Sequence, residues 1–337
     1  MENEMHEAEG GDIEPPAKQL TKNHVLAASI FISAVILSST WIYTAKLTAA
    51  NLPQKSDAAV TPQAVQAPTL DEKVFPSAGV VLPVRWGNLG AQLVSAGAID
   101  ADRFKAIYEQ RGAFTDEYQN LLLGTNDGNL KITRENSGYL LNLFWALGLA
   151  NKNLILDAGE MQSPSYGGAK NFASTGGWTM AKGNAMDHYS MHTFFNLTAD
   201  QQALVDKISR GIYRPCCGNS VHFPDCNHGM AMLGLLELMA SQGASESDMW
   251  KAALAVNSYW FPDNYLTIAT YLQNNGVDWK DAPPQGILGA NFSSAQGYAG
   301  IASQVVKPQQ GSGGGGCGVD TGAPAAAAPR QQSGCGI

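Results

Sequence analysis

The chain has 337 residues, of which only 15% are charged, and its formal net charge at pH 7 is −8. This length allows one substantial domain with appendages. The acidic balance and the absence of basic clusters argue against nucleic acid as a partner, because nucleic-acid surfaces depend on grouped lysines and arginines. Five cysteines are too few, and odd in number, for a small disulfide-rich secreted scaffold.

The N-terminal region divides into a polar part and an apolar part. Residues 1–23 are rich in acidic side chains and predict a disordered tail. Residues 24–45 contain no Asp, Glu, Lys or Arg, and an apolar run of about 20 residues is long enough to cross a bilayer. Trp41 and Tyr43 near its end suit the membrane interface. We therefore predict a transmembrane anchor at 24–45.

A cleaved signal peptide is the alternative for this region. The small residues at 48–50, Thr-Ala-Ala, resemble a cleavage site. The apolar run is longer than a usual signal core, however, and a long acidic tail precedes it, which favours an uncleaved anchor. Lys18 and Lys22 precede the run and Lys46 and Lys55 follow it, so the flanking positive charge is nearly tied, and Lys22 slightly favours a cytoplasmic N-terminus. The main domain is then extracytoplasmic.

The region after the anchor predicts a linker followed by a helical domain. Residues 46–80 are rich in Pro and Ala and predict a semi-extended linker. Residues 81–305 carry apolar residues at helical spacing, with helix caps at Asp100, Thr115 and Thr198. No alternation of strands and helices appears, so the predicted fold class is all-α or nearly so, a multi-helix globular domain.

Three local predictions concern this domain. The spacing of Leu89 and Leu93 predicts a helix over 86–96. The glycine-rich stretch 152–183 predicts a long loop that covers one face of the domain. Residues 185–195 predict a helix that carries His188 and His192 on one face, four residues apart.

The stretch 213–229, Tyr-Arg-Pro-Cys-Cys-Gly-Asn-Ser-Val-His-Phe-Pro-Asp-Cys-Asn-His-Gly, concentrates the reactive side chains. Its prolines and glycines predict a loop. An apolar run interrupted only by Glu237 follows and predicts a buried helix over 229–242. The loop therefore delivers thiols and imidazoles to a helix N-terminus, where the partial positive charge stabilises thiolates.

The cysteines and histidines of this loop have the composition of a soft-metal site. Cys216, Cys217, Cys226 and His228 form the pattern Cys-Cys-x8-Cys-x-His, and His222 could replace one of the adjacent cysteines. Three thiolates and an imidazole suit tetrahedral zinc, and soft sulfur ligands equally suit Cu(I). Two alternatives stay open at this point. One is a disulfide that clamps the loop, and the other is a redox site in which Cys226 is the low-pKa thiol.

Two further groups could serve the same chemistry. His188 and His192, at a spacing that can chelate a metal, could complete or flank the loop site. No His-Glu-x-x-His motif is present, which excludes the zincin type of protease. The low-complexity tail 306–337 holds Cys317 and Cys335 between glycines. These thiols could exchange with the loop or receive an ion from a partner, either a metal donor or a thiol-exchange protein.

The sequence thus predicts a membrane-anchored, extracytoplasmic, metal-binding protein that takes part in metal handling. The alternatives are a thiol–disulfide redox protein or metal-dependent enzyme that uses the same loop, and a structural interaction module with a disulfide-clamped loop. Walker and Gly-x-Ser-x-Gly motifs are absent, no dinucleotide-binding glycine fingerprint stands between a predicted strand and a helix, and no pair of acids suggests acid–base catalysis.

Overall fold

A computed structural model of the protein describes residues 67–110 and 112–305, and this part of the chain is mostly helical with one short β-hairpin. The prediction of a nearly all-helical domain is confirmed at this level. The predicted acidic tail, the anchor at 24–45, residues 46–66 of the linker and the cysteine-containing tail 306–337 lie outside the described residues. Among the described helices, none combines the length and the apolar character needed to span a bilayer.

The described residues form thirteen α-helices and two β-strands. The α-helices are α1 Leu70–Val74, α2 Leu89–Ala96, α3 Ala101–Glu109, α4 Asp116–Leu123, α5 Ser137–Ala150, α6 Leu154–Ala158, α7 Ala199–Gly211, α8 Asn227–Ser241, α9 Glu246–Trp260, α10 Pro262–Asn274, α11 Pro284–Leu288, α12 Ala290–Ser293 and α13 Ala295–Ala302. Strands β1 Val80–Gly87 and β2 Asn126–Ile132 pair antiparallel, with Val80 opposite Ile132 and Gly87 opposite Asn126.

The hairpin corrects two predicted boundaries. The helix expected over 86–96 begins only at Leu89, because Leu82, Val84 and Trp86 alternate toward the core with a period of two and belong to β1. Residues 70–80, assigned to the linker, form α1 and the start of β1. Leu130 and Ile132 belong to the end of β2 and are buried.

Two buried helices, α5 and α8, cross at a pair of glycines. A Cβ atom at Gly148 would lie 2.1 Å from the carbonyl oxygen of Met230, and one at Gly234 would lie 2.5 Å from the carbonyl oxygen of Phe144. The two backbones are therefore in direct contact, which only glycine permits at these positions. This crossing fixes the axis of α8, whose N-terminus carries the cysteine loop.

The single charge-bearing side chain of the α8 apolar run, Glu237, is fully buried. Its two carboxylate oxygens accept hydrogen bonds from the side-chain amides of Asn151 (2.7 Å) and Asn153 (2.8 Å). These asparagines follow the C-terminus of α5, so Glu237 ties α8 to the segment that leaves α5. Burial raises the pKa of Glu237 well above its usual value, although the two amide hydrogen bonds oppose this shift.

Glu237 is expected to make stability fall as pH rises. Its folded pKa is above the unfolded value of 4.5, so its contribution is fully present below that value and is lost as pH rises through the folded pKa. In wild type the free energy of unfolding should fall by up to about 1.4 kcal/mol per pH unit from this group, and in Glu237→Gln, where nothing titrates at this position, that fall should be absent. Urea unfolding at a series of pH values from 4 to 8 measures this slope, and parallel profiles for the two proteins would contradict the prediction.

The segment between α5 and α7 differs in part from expectation. The loop predicted over 152–183 contains α6 and short 3-10 turns, and it packs onto the domain through the buried rings of Phe172 and Trp178. The helix predicted over 185–195 is wrong, because only Ala185–Asp187 makes one 3-10 turn. Ser190 then adopts a left-handed conformation, with φ of 55°, which ends any helical path.

Candidate metal centre

The cysteine loop connects α7 to α8 and is anchored internally and to α9 and α13. The amide of Val221 donates to the carbonyl of Ile212 (2.8 Å), and the amide of Ala295 at the start of α13 donates to the carbonyl of Cys217 (2.9 Å). Asn257 of α9 donates to the carbonyl of Tyr213 (3.1 Å). These backbone anchors hold both ends of the loop in place while leaving the thiols unused.

Cys226 occupies the N-cap position of α8. Its thiol makes no capping hydrogen bond to the helix backbone, and the helix begins at Asn227, two residues before the predicted start. The predicted placement of a thiol at a helix N-terminus is therefore confirmed, and the sulfur is not used to cap the helix.

The three cysteine sulfurs of the loop lie close together and are not bonded to one another. The Sγ–Sγ distances are 3.6 Å for Cys216 and Cys226, 3.8 Å for Cys217 and Cys226, and 4.0 Å for Cys216 and Cys217. All three cysteines are free thiols. The disulfide clamp is therefore absent from the described part of the chain.

His228, in the first turn of α8, brings an imidazole to the same point. Its Nδ1 lies 4.0 Å from the Sγ of Cys216. The ring is buried between Phe261, at 4.4 Å between ring centroids, and Trp260, at 5.8 Å. Two aromatic rings thus form an apolar wall that keeps water away from the histidine side of the site.

The three sulfur–sulfur separations match the edges of a coordination tetrahedron. Zinc–thiolate bonds of about 2.3 Å in tetrahedral geometry place neighbouring sulfurs about 3.8 Å apart. The ligand atoms of Cys216, Cys226 and His228 all lie within 4.8 Å of one another, as do those of Cys217, Asp225 and Cys226. This Cys/His cluster is close enough to hold a metal ion, and its thiols and imidazole are donors of the type that such an ion prefers.

A fully buried cation, Arg214, lies behind the sulfurs. Its Nε donates to the Sγ of Cys226 (3.0 Å), its Nη1 donates to the carbonyl of Asn219 (2.9 Å), and its Nη2 donates to the carbonyl of Phe223 (3.2 Å). Nη2 also forms an ion pair with Asp225. Arg214 therefore joins a ligand sulfur to the loop backbone as an outer partner of the cluster.

Asp225 completes this outer layer. One of its carboxylate oxygens lies 3.7 Å from the Sγ of Cys217, and the other accepts a hydrogen bond from the amide of Asn219 (2.8 Å). Asp225 thus links Cys217 to Arg214, and Arg214 in turn donates to Cys226. Each of these two sulfurs has a defined polar partner, which fixes its orientation.

The electrostatics of the cluster single out Cys226 as the thiolate. Burial raises its pKa, but hydrogen bonds from Cys216 and Cys217 and the charge of Arg214 outweigh burial and hold the pKa well below its usual value. The pKa of Cys216 is raised by its hydrogen bonds to Cys217 and Cys226 and by burial. One anionic sulfur is thus stabilised by two thiols and a guanidinium.

Gly229 explains how a guanidinium can lie against the first turn of α8. A Cβ atom at this position would lie 2.6 Å from both Cζ and Nη2 of Arg214. The guanidinium is held by hydrogen bonds on all sides and is only 1% exposed, so it has no room to move away. Glycine is therefore required here for the contact between Arg214 and Cys226.

Gly229→Ala is expected to destabilise the domain by about 1–3 kcal/mol, because the added methyl group overpacks a filled site. The gain in helix propensity, at most about 1 kcal/mol, does not offset this loss. Gly218→Ala is the matched control, since a Cβ there meets nothing within 4 Å. Denaturant unfolding compares the two variants, and an equal effect at 218 and 229 would contradict the packing argument.

The other predicted ligands lie in different surroundings. Nε2 of His222 donates to a carboxylate oxygen of Asp206 on α7 (2.7 Å), and His222 belongs to neither group of converging ligand atoms. His188 and His192 hydrogen-bond to each other, with 3.0 Å between Nδ1 of the first and Nε2 of the second. They too are absent from the groups that contain the cysteines. Cys317 and Cys335 lie outside the described residues.

Sequence reasoning missed Arg214 and the role of Asp225. A signal for Arg214 existed, since an arginine directly before Pro-Cys-Cys, in a chain with few charged residues, indicates a cation that could pair with a thiolate. Nothing in the spacing of the residues indicates that its guanidinium turns inward. That orientation depends on Gly229 and on the carbonyls that the folded loop presents.

Comparison with protein-family models, with curated proteins and with solved structures finds no match for this chain.

Proposed function

We propose that this protein is a membrane-anchored metal-binding protein that holds one soft metal ion between Cys216, Cys217, Cys226 and His228. The observation that carries the proposal is the set of three sulfur–sulfur distances, 3.6, 3.8 and 4.0 Å. These are too long for disulfides and equal, within a few tenths of an ångström, to the edges of a zinc–thiolate tetrahedron.

Zinc is the ion that this site favours. A closed set of four ligands with three thiolates and one imidazole is typical of structural zinc. The surroundings also favour a divalent ion over monovalent Cu(I). Metal binding would ionise all three sulfurs, and together with Asp225 they would face the buried guanidinium of Arg214, so a divalent ion offsets more of the negative charge. Cu(I) remains the competitor, because thiolates bind it strongly.

The accessibility of the ligands supports a role in metal handling. Cys226 and His228 are almost completely buried, whereas Cys216 is partly exposed. An ion can therefore enter or leave on the side of Cys216. In this proposal Cys317 and Cys335 of the tail bind the ion first and pass it to Cys216 by ligand exchange. The anchor at 24–45 places the domain on the extracytoplasmic face of a membrane.

Metal analysis of the full-length chain tests the proposal. Protein purified under reducing conditions should carry about one zinc per chain, and Cys226→Ser/His228→Ala should carry none. Cys317→Ser/Cys335→Ser should keep the stoichiometry and load more slowly from a zinc-loaded donor. His222→Asn is the control for loss of a histidine in the same loop, and it should keep its metal. Metal-free protein, or equal metal in the double variant at 226 and 228, would refute the site.

One observation favours thiol–disulfide exchange as a second candidate. The lowered pKa of Cys226, with Cys216 only 3.6 Å away, is the arrangement of an attacking and a resolving thiol. Cys226 is 0% exposed, however, so a partner disulfide cannot reach its sulfur without local opening. Rapid alkylation of Cys226 in the folded protein would support this candidate, and protection of Cys226 until unfolding would exclude it.

A further inference from the structure

The histidine pair His188 and His192 forms a self-contained unit away from the cysteines. The two rings are tilted by only 25°, and their centroids are 5.2 Å apart, whereas the facing nitrogens are 3.0 Å apart. The difference between the centroid distance and the nitrogen distance is almost equal to the sum of the two centroid-to-nitrogen distances within the rings. The rings therefore meet edge to edge, with Nδ1 of His188 and Nε2 of His192 pointing at each other along one line.

The protonation pattern of the pair is fixed from one end. Nε2 of His188 lies 2.9 Å from the carbonyl oxygen of Lys182, which can only accept a hydrogen bond. Nε2 therefore carries the hydrogen, and neutral His188 presents a lone pair at Nδ1. A backbone carbonyl that orients an imidazole through its second nitrogen is the usual outer partner of a metal-binding histidine.

The backbone between the two histidines is strained into place. Ser190 has a φ of 55°, the one left-handed non-glycine residue among the described residues. Two hydrogen bonds hold it there: its amide donates to the carbonyl of Leu149 (2.8 Å), and its hydroxyl accepts from the amide of Asn153 (3.0 Å). A strained residue that its surroundings hold in place is typical of functional sites. Here the strain aims both rings at one point.

The pair offers two ligands in line and no third. Within the described part of the chain, no acidic, cysteine or further histidine side chain joins His188 and His192 in a metal-sized group. A divalent ion such as zinc needs four ligands. Two in-line imidazoles instead suit a monovalent d10 ion, which accepts linear two-coordination.

We infer that His188 and His192 form a second metal site, which binds a monovalent d10 ion, Cu(I), between Nδ1 of His188 and Nε2 of His192. The ion takes the place of the shared hydrogen. The hydrogen on Nε2 of His192 moves to Nδ1 of the same ring through solvent, so no proton is lost and no electron is transferred. Two metal–nitrogen bonds of about 2 Å each require the nitrogens to separate by about 1 Å. His192 is only half-buried and can make this movement.

Titration of the full-length protein with Cu(I) under anaerobic, reducing conditions, against a competing chelator, tests the second site. Wild type should bind one more Cu(I) per chain than His192→Phe. The affinity for that ion should fall by at least about 100-fold, because loss of an outer partner alone costs about 10–100-fold. His24→Phe, which removes a histidine outside the described residues, should bind like wild type. The difference of one ion holds whether or not the cysteines bind metal, so the two sites are tested separately.

Nitrogen NMR with Ag(I), a diamagnetic probe for the same coordination, makes the test independent of variant folding. Adding Ag(I) to wild-type protein should shift Nδ1 of His188 and Nε2 of His192 together and leave the His222 nitrogens unchanged. Equal Cu(I) stoichiometry in wild type and His192→Phe, or no shift at these two nitrogens, would overturn the inference.

Discussion

Removing the bound ion with a chelator should lower the free energy of unfolding of this protein by about 4 kcal/mol, when the free ion had been about 1,000-fold above its dissociation constant. The reason is that the proposed ligands come together only in the folded loop, so the free energy of metal binding would add to the free energy of folding. Without the ion, three sulfurs that would carry negative charge lie together at the buried N-terminus of α8.

Denaturant unfolding with and without chelator measures this effect, and Cys226→Ser provides the control. The variant has lost a central ligand and should unfold at the same denaturant concentration with or without chelator. An unchanged midpoint for wild type after its metal has been removed would mean that the cluster does not couple ion binding to folding.

Arg214→Met is expected to destabilise the protein by about 3–5 kcal/mol, because it leaves buried negative charge without its partner. Arg214 is 1% exposed and bonds Cys226, Asp225 and two backbone carbonyls. Its absence should also weaken metal binding by about 10–100-fold, as expected for an outer partner of a ligand. Burial raises the pKa of Asp225, and the charge of Arg214 opposes that shift, so the variant should also favour the protonated acid at this position.

Arg210→Met is the matched control, four residues before Arg214 in the chain. Its side chain is 55% exposed and pairs with Asp206 on the surface of α7, so the change should cost about 0.3–0.5 kcal/mol. Arg214→Met/Asp225→Asn should recover part of the loss, because it removes one of the stranded charges. Similar effects of Arg210→Met and Arg214→Met would show that Arg214 is not a partner of the cluster.

The sequence predicted the parts of this site that depend on local order. Cys226 at the start of a buried helix follows from the change between a Pro- and Gly-rich loop and a continuous apolar run, and the structure agrees. The caps at Asp100, Thr115 and Thr198 are present for the same reason, since each side chain accepts from a backbone amide a few residues away. Local hydrogen bonding needs no knowledge of the rest of the fold.

The parts that depend on distant contacts could not be predicted. Trp86 was assigned to a helix, but its indole donates to the carbonyl of Leu121 from a strand that exists only because β2 pairs with it. The helical spacing of His188 and His192 suggested a shared helix face. Their rings do come together, but through a left-handed turn at Ser190 that Leu149 and Asn153 stabilise. Arg214 faces inward because Gly229 leaves room for it.

X-ray absorption spectroscopy at the edge of the bound metal tests the central claim most directly. The proposed site predicts about three sulfur neighbours at about 2.3 Å and one nitrogen neighbour at about 2.0 Å. The sulfur count should fall by one in Cys217→Ser and the nitrogen should disappear in His228→Ala. A spectrum with only nitrogen and oxygen neighbours, or protein in which Cys216, Cys217 and Cys226 are oxidised and no metal is bound, would contradict a metal centre at this loop.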